Sequence, residues 1–227
     1  VGTLWRDASG IGVALRTADV YGSKLILGKR YTKVDKSQFN RVLRRYADRL
    51  LKEYTGKPGI FSSQIVFIGR KQKSSFKQVY ICDFDGSHLK QITNAKAPHL
   101  SPSWSPDGKY ITYTSFEDGN PDLFIYEVAT GKKRKLSGRR GLNSGSHWSH
   151  NSKLVAFTGS KAGDADIYTT TPAGKGSKIL IRGVGQDVDP TFAPNGRWIA
   201  FVSGRFGNPH IFLATLKWDA EDKVRVI

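Results

Sequence analysis

With 227 residues, 38% of them hydrophobic and 11% aromatic, the chain has the material for a sizeable core in one or two domains and does not have the composition of a disordered polymer. No apolar run approaches the roughly 18 residues of a membrane-crossing helix, and a single cysteine, Cys82, excludes an intrachain disulfide. The formal net charge of +17 fits two readings. It would attract nucleic acid, acidic glycans, anionic envelope polymers or an acidic partner. It is also what a merely solubilising basic surface would carry. The basic residues are dispersed, densest in Lys132-Lys133-Arg134-Lys135 and Arg139-Arg140, which favours the second.

In chain order, residues 1–58 read as part of a small α/β domain. Val13–Val20 and Lys24–Tyr31 are strand-like, and Tyr21-Gly22-Ser23 between them predicts a hairpin. Asp35 or Ser37 is placed to cap a helix that runs to about Tyr54. Phe39, Val42, Leu43, Tyr46, Ala47, Leu50, Leu51 and Tyr54 recur at helical spacing and make one apolar stripe. The other face carries Lys36, Arg41, Arg44, Arg45, Arg49 and Lys52. A basic face of this kind binds nucleic acid or membrane in some proteins, but a solvated face over a helix packed on its own hairpin is the simpler account. Thr55-Gly56-Lys57-Pro58-Gly59 holds C-cap and breaker residues and places a domain boundary at residue 58.

Residues 59–227 are organised by a repeat. Ser101-Pro102-Ser103-Trp104-Ser105-Pro106-Asp107-Gly108-Lys109-Tyr110-Ile111-Thr112-Tyr113 returns 44 residues on around Trp148 and again around Phe192, without a gap. Each copy reads as four short strands. One ends at the aromatic residue. Pro106-Asp107-Gly108 has turn chemistry, and Tyr110–Thr114, Leu123–Val128 and Lys132–Leu136 supply the next three strands. Four antiparallel strands in about 40–45 residues is the size of a β-propeller blade. An incomplete first copy precedes these, with Ile65–Ile68, Val79–Phe84 and Leu89–Thr93 as its strands and nothing in the place of the first. Lys223–Ile227 reads as the last strand of the final copy. Because full propellers carry 4–8 complete blades, the chain is expected to be part of a longer protein.

Enzyme signatures are absent. There is no Gly-x-Ser-x-Gly elbow, P-loop or His-Glu-x-x-His, so no catalytic residue, metal ligand or cofactor is assigned. His147 and His150 have a metal-compatible spacing, yet they occupy the repeat positions of Ser103 and Pro106 and read as structural. Asp122 and Asp166 recur at the start of the third strand and are expected to bond turn backbone. Trp104, Trp148 and Phe192 are expected to pack between blades.

The blade motif Pro-x-Trp-Ser-Pro-Asp-Gly-Lys-x-Ile-x-Tyr-x-Ser followed by Asp-Leu-Phe-x-Tyr resembles that shared by the TolB family, the tricorn protease and the propellers of prolyl oligopeptidases. The hairpin ending Leu27–Tyr31, the helix ending Tyr54-Thr55-Gly56-Lys57-Pro58-Gly59 and the run Ile60–Phe67 resemble the junction between domains in the TolB family. The resemblance implies a mainly β fold, a six-bladed propeller preceded by a small α/β domain. It implies a periplasmic, non-enzymatic component of the Tol–Pal system without cofactor or nucleic acid. The lipoprotein Pal would dock at the propeller mouth, and TolA would engage an N-terminal extension. The alternative is the non-catalytic propeller of a prolyl-oligopeptidase-like serine peptidase. Candidate partner-binding residues are the segments leading into each copy: His99, Leu100 and Ser101; Leu142, Asn143 and Ser144; Asp187, Val188 and Asp189. Their chemistry differs while the scaffold around them repeats, as expected for loops that carry function. Asp187 and Asp189 are expected as charged contacts, and the resemblance matches Asp189 to an acidic mouth position.

Overall fold

Short β-branched and aromatic runs separated by turn residues build a chain of strands. A computed structural model describes residues 1–8, 10–71, 76–160, 163–216 and 225–226, among which lie eighteen strands and one α-helix. By internal packing the chain divides into two compact units, Val1–Ile65 with Cys82–Leu89 and Val66–Ile81 with Lys90–Ile227.

In the first unit, β1 (Gly2–Asp7), β2 (Gly10–Asp19) and β3 (Lys24–Val34) form an antiparallel sheet in that order. The hairpin β2–β3 is the one predicted; β1 has no clear alternation and was not foreseen. The Asp35 carboxylate accepts from the Ser37 N–H at 3.1 Å and opens a 3-10 turn, Lys36–Gln38, ahead of α1 (Phe39–Thr55). Gly56 closes the helix in the left-handed region, at φ +70°, with its N–H on the Lys52 carbonyl. Of the apolar stripe only Tyr46 is fully enclosed, its hydroxyl 3.0 Å from the Leu27 carbonyl and 2.7 Å from Thr17 Oγ1. Leu43 and Tyr54 stay exposed, and Phe39, Val42, Ala47, Leu50 and Leu51 are half-buried. After the helix the chain turns back directly onto it. Asp48 accepts the N–H groups of Phe61 (2.7 Å) and Ser62 (2.9 Å), and a Cβ at Gly59 would stand 2.4 Å from the Asp48 Cα.

Four sheets follow, each a meander of consecutive strands. The first is β4 (Gln64–Gly69), β5 (Gln78–Asp83) and β6 (Lys90–Gln91). Next come β7 (His99–Trp104), β8 (Tyr110–Ser115), β9 (Asp122–Glu127) and β10 (Lys133–Ser137). The third sheet is β11 (Asn143–Trp148), β12 (Val155–Ser160), β13 (Ala165–Thr170) and β14 (Lys178–Ile181). The fourth is β15 (Asp187–Phe192), β16 (Trp198–Phe206), β17 (Asn208–Thr215) and β18 (Arg225–Val226). β18 falls within the predicted last strand; residues 223, 224 and 227 lie outside the described residues.

The sheets are the blades of a β-propeller. Strand β11 packs on β7, β8 and β9, and β15 packs on β11, β12 and β13, so first strands converge while later strands fan outward. Between successive blades lie three apolar clusters. Val79, Ile81, Ile111 and Tyr113 form one, Leu123, Leu136, Trp148 and Phe157 the next, and Ile167, Phe192, Phe201 and Phe212 the third. Each blade also stacks an aromatic pair across its second and third strands: Phe67–Tyr80, Tyr113–Phe124, Phe157–Tyr168 and Phe201–Phe212, at 5.7, 5.8, 5.7 and 5.7 Å. These pairs fix the internal register of the molecule, with Val66 in the first blade at the place of Thr112 and Ala156.

The repeated tryptophans pack between blades as predicted, but their polar ends fare differently. Trp148 is 2% exposed, and its indole N–H donates to Thr112 Oγ1 (3.1 Å) and the Ser103 carbonyl (3.3 Å) of the preceding blade. The Trp104 indole N–H is buried without a partner among the described residues, because Val66 stands where a hydroxyl would be needed.

Candidate functional site

The three segments leading into the repeat begin strands β7, β11 and β15, at the ends where first strands converge. Their first residues are His99, Asn143 and Asp187, and all three side chains are fully enclosed. His99 Nε2 lies 2.8 Å from Glu117 Oε1 and 3.3 Å from Ser115 Oγ, while its Nδ1 is buried without a partner among the described residues. Asn143 is a structural hub. Its amide donates to the carbonyls of Arg139 (2.7 Å), Pro121 (3.1 Å) and Gly141 (3.2 Å), and its oxygen accepts from Ser137 Oγ at 2.7 Å. Both oxygens of Asp187 face Arg205 Nη2, at 3.0 and 3.2 Å, and Arg205 Nε donates to Ser203 Oγ at 2.8 Å.

Asp187 was expected as a charged partner contact. Its carboxylate is enclosed and neutralised by Arg205, so it braces the start of β15 rather than presenting charge. Glu117 and Arg205 are 88 residues apart, two repeat periods, and so occupy the same blade position. One blade writes the pair as His99 with Glu117, another as Asp187 with Arg205. Sequence reading missed Glu117 and Arg205, although the 44-residue shift carries the signal. Deep burial also raises the Tyr113 phenol, whose ring stands 5.5 Å from that of His99.

The second residues, Leu100, Ser144 and Val188, are half-buried and pair with Thr114, Thr158 and Val202 of the second strands. The third residues depart from regular strand geometry. Ser101, Gly145 and Asp189 have φ of +49°, +58° and +52°, and in all three of these blades the register slips immediately after the second residue. A bulge with a left-handed residue re-aims side chains and is costly for anything but glycine, so its recurrence at one position marks a built feature. Leu142 lies one residue ahead of its strand, where its N–H donates to Ser160 Oγ at 2.9 Å; Gly145, which closes the predicted segment Leu142–Gly145, is the third member of the set.

Asp189 is the exposed charge of this group. Its N–H donates to Thr158 Oγ1 of the preceding blade at 3.0 Å, and a Cβ at Gly145 would stand 2.7 Å from its Oδ1. The carboxylate therefore leans over the neighbouring bulge, and glycine there leaves room for it. Among the described residues no cation pairs with Asp189.

The remaining candidates resolve as scaffold. Among the described residues Asp122 and Asp166 make ion pairs rather than bonds to turn backbone: Asp122 with Lys135 Nζ at 2.5 Å and Asp166 with Arg182 Nε at 3.1 Å, joining the third strand to the fourth strand or to the residue just after it. Only Gln78, at their position in the first blade, bonds backbone, through the Ala95 and Ala97 carbonyls. His147 is half-buried, with Nδ1 accepting from the Phe192 N–H at 3.2 Å, and His150 sits exposed in a turn. Among the described residues no group of three His, Cys, Asp or Glu side chains could hold a metal ion. No helix among them is long and apolar enough to cross a membrane.

Comparison with known proteins places these features in a family. Residues 51–226 match the family described as the TolB beta propeller domain. The Tol-Pal system protein TolB of Desulfosudis oleivorans is 38% identical over 153 residues, which cover 61% of this chain and 34% of that protein. The crystal structure of TolB from Acinetobacter baumannii superposes with a TM-score of 0.84 at 28% identity, covering 98% of this chain and 56% of that one. A puromycin hydrolase matches with a TM-score of 0.57 at 15% identity over 72% of this chain and 26% of that one, a likeness of fold alone. The chain spans about a third of the length of the curated relatives it matches.

Proposed function

Since the chain belongs to the TolB β-propeller family, we propose that it acts as a non-enzymatic protein-interaction scaffold of the Tol–Pal cell-envelope system, located in the periplasm. The lipoprotein Pal is its partner, docking at the end of the blades where the first strands converge. TolA is a second partner, through a segment N-terminal to the residues present here. The observation that carries this reading is the recurrent left-handed bulge at Ser101, Gly145 and Asp189. One scaffold presents three different chemistries there: a hydroxyl, a bare glycine backbone and a carboxylate that pairs with no cation among the described residues.

Within this surface the roles divide. Asp189 and Ser101 are the exposed contacts, and Leu100, Ser144 and Val188 contribute partly covered surface. His99, Asn143 and Asp187 hold the bulges in place from behind. Fixed backbone at a binding surface reduces the ordering cost of association, which is the physical use of the costly φ values. Reversing the charge at Asp189 (Asp189→Lys) should weaken Pal at least tenfold by calorimetry, because an ammonium facing the partner's cationic group adds like-charge repulsion to the lost contact. Unchanged affinity in Asp189→Lys, Ser101→Lys and Ser144→Lys alike would sink the assignment.

A further inference from the structure

We propose that the first unit carries a binding cleft for a phosphate monoester, built on the basic face of α1 around Arg41 and Arg45. The cleft has a volume of about 510 Å³ and lies wholly within residues of that unit. One wall is the helix, with Arg41, Arg44 and Arg45; Ser37 stands at its N-terminal end and Ser62 opposite. This is the face that the sequence pattern leaves as an ordinary solvated one, and the structure separates its arginines by role.

Arg44 is fixed. Its guanidinium bonds Asp83, Asp85 Oδ2 at 2.6 Å and Ser87 Oγ at 2.9 Å, and it lies 5.5 Å from the Phe84 ring. Gln64 Nε2 and His88 Nδ1 complete the shell of Asp83, at 3.1 and 2.7 Å. Hydrogen bonds from the hydroxyl and amide of Ser87 hold the Asp85 carboxyl at about 2, so this anchor stays ionised across all working pH. The two carboxylates thus serve Arg44 and leave nothing for its neighbours. Arg41 and Arg45 are exposed and, among the described residues, form no ion pair.

Arg41 and Arg45 are four residues apart, so they share one helix face as like charges, an arrangement that is unfavourable on its own. An anion between them reverses that sign. No acidic side chain occupies the first turn of α1 to serve as that anion, and the helix dipole adds to the positive field at this end. Two guanidiniums with five N–H donors each, together with two hydroxyls, exceed what one planar carboxylate can accept. They suit a tetrahedral dianion with three terminal oxygens. The volume exceeds that of the phosphoryl group itself and leaves room for an organic remainder the size of glycerol.

The test is calorimetry of the 227-residue chain with glycerol 3-phosphate, with inorganic phosphate and an aspartate-rich peptide as comparison arms, and vesicle sedimentation with and without phosphatidic acid. Glycerol 3-phosphate should bind with 1:1 stoichiometry, and Arg41→Gln/Arg45→Gln should weaken it at least tenfold. Both side chains are exposed, and an unchanged melting temperature checks that the variant folds. Sedimentation with phosphatidic acid vesicles that depends on the same arginines assigns the ester to a lipid headgroup; binding of the soluble ester alone assigns it to a small metabolite. Absence of binding by every phosphate arm, binding indifferent to the two substitutions, or preference for the acidic peptide would overturn the proposal. Pal affinity plays no part in these readouts, so the result is independent of the propeller surface.

Discussion

Replacing Thr112 by valine isolates one hydroxyl that ties two blades together. Thr112 is fully buried, and its Oγ1 accepts from Ser146 Oγ at 2.9 Å and from the Trp148 indole N–H at 3.1 Å. Valine keeps the shape and removes the acceptor. Ser146 is itself buried, so its hydroxyl is left without this partner, while Trp148 retains the longer bond to the Ser103 carbonyl at 3.3 Å. Leaving a buried donor unsatisfied costs about 1–3 kcal/mol. With one donor stranded and one weakened, Thr112→Val should destabilise by about 2 kcal/mol. For a chain of this size that lowers Tm by roughly 4–8 °C. Urea unfolding followed by tryptophan fluorescence reads the loss. Thr112→Ser, which keeps the hydroxyl, should lose less than valine. The molecule supplies its own comparison in the first blade, where Val66 leaves the Trp104 indole N–H unpartnered. Val66→Thr should recover part of that cost. The reasoning fails if Thr112→Val is within 0.3 kcal/mol of the parent, well under the roughly 1 kcal/mol a buried hydrogen bond contributes, or if serine and valine are equally damaging.

Two further outcomes follow from the blade starts. Arg205→Ala should cost about 3–5 kcal/mol because it strands the enclosed Asp187 carboxylate, and Arg205→Ala/Asp187→Ala should be more stable than Arg205→Ala alone; chemical denaturation of both variants measures this, and a double variant no better than the single one refutes it. Burial pushes the His147 imidazole below the usual histidine range, so the unfolded chain takes up the proton first. Stability is then complete above about pH 6.5 and falls as pH drops below it. His147→Thr, the residue of the last copy, should flatten that dependence between pH 7.5 and 5.5, and an unchanged slope would exclude His147 as its source.

Much of this molecule was legible as pattern. The 44-residue shift from Trp104 to Trp148 to Phe192 exposed the blades, because one packing problem solved three times leaves three similar strings. The hairpin β2–β3 and helix α1 followed from alternation, caps and the Gly56 stop. Strand β1 was missed because it owes its strand state to pairing along β2 rather than to its own composition. The candidate segments were found by contrast with the scaffold, but the contrast could not separate a buried brace from an exposed contact. Asp187 and Asp189 are two residues apart and identical in kind; one faces Arg205 and the other faces outward.

What the sequence by itself determined is therefore periodicity: which residues alternate, where turns must fall, and which positions correspond between blades. These are consequences of local geometry, fixed by the backbone's own dihedral preferences and repeated at constant spacing. Only tertiary structure decided which charges are spent and which are free. Arg44 is clamped by Asp83 and Asp85 while Arg41 and Arg45 are not, and the Glu117 and Arg205 positions reach back to His99 and Asp187. Such partners lie 18–41 residues apart. Pairing energy falls with distance in space and is blind to distance along the chain, so no local pattern could have announced it.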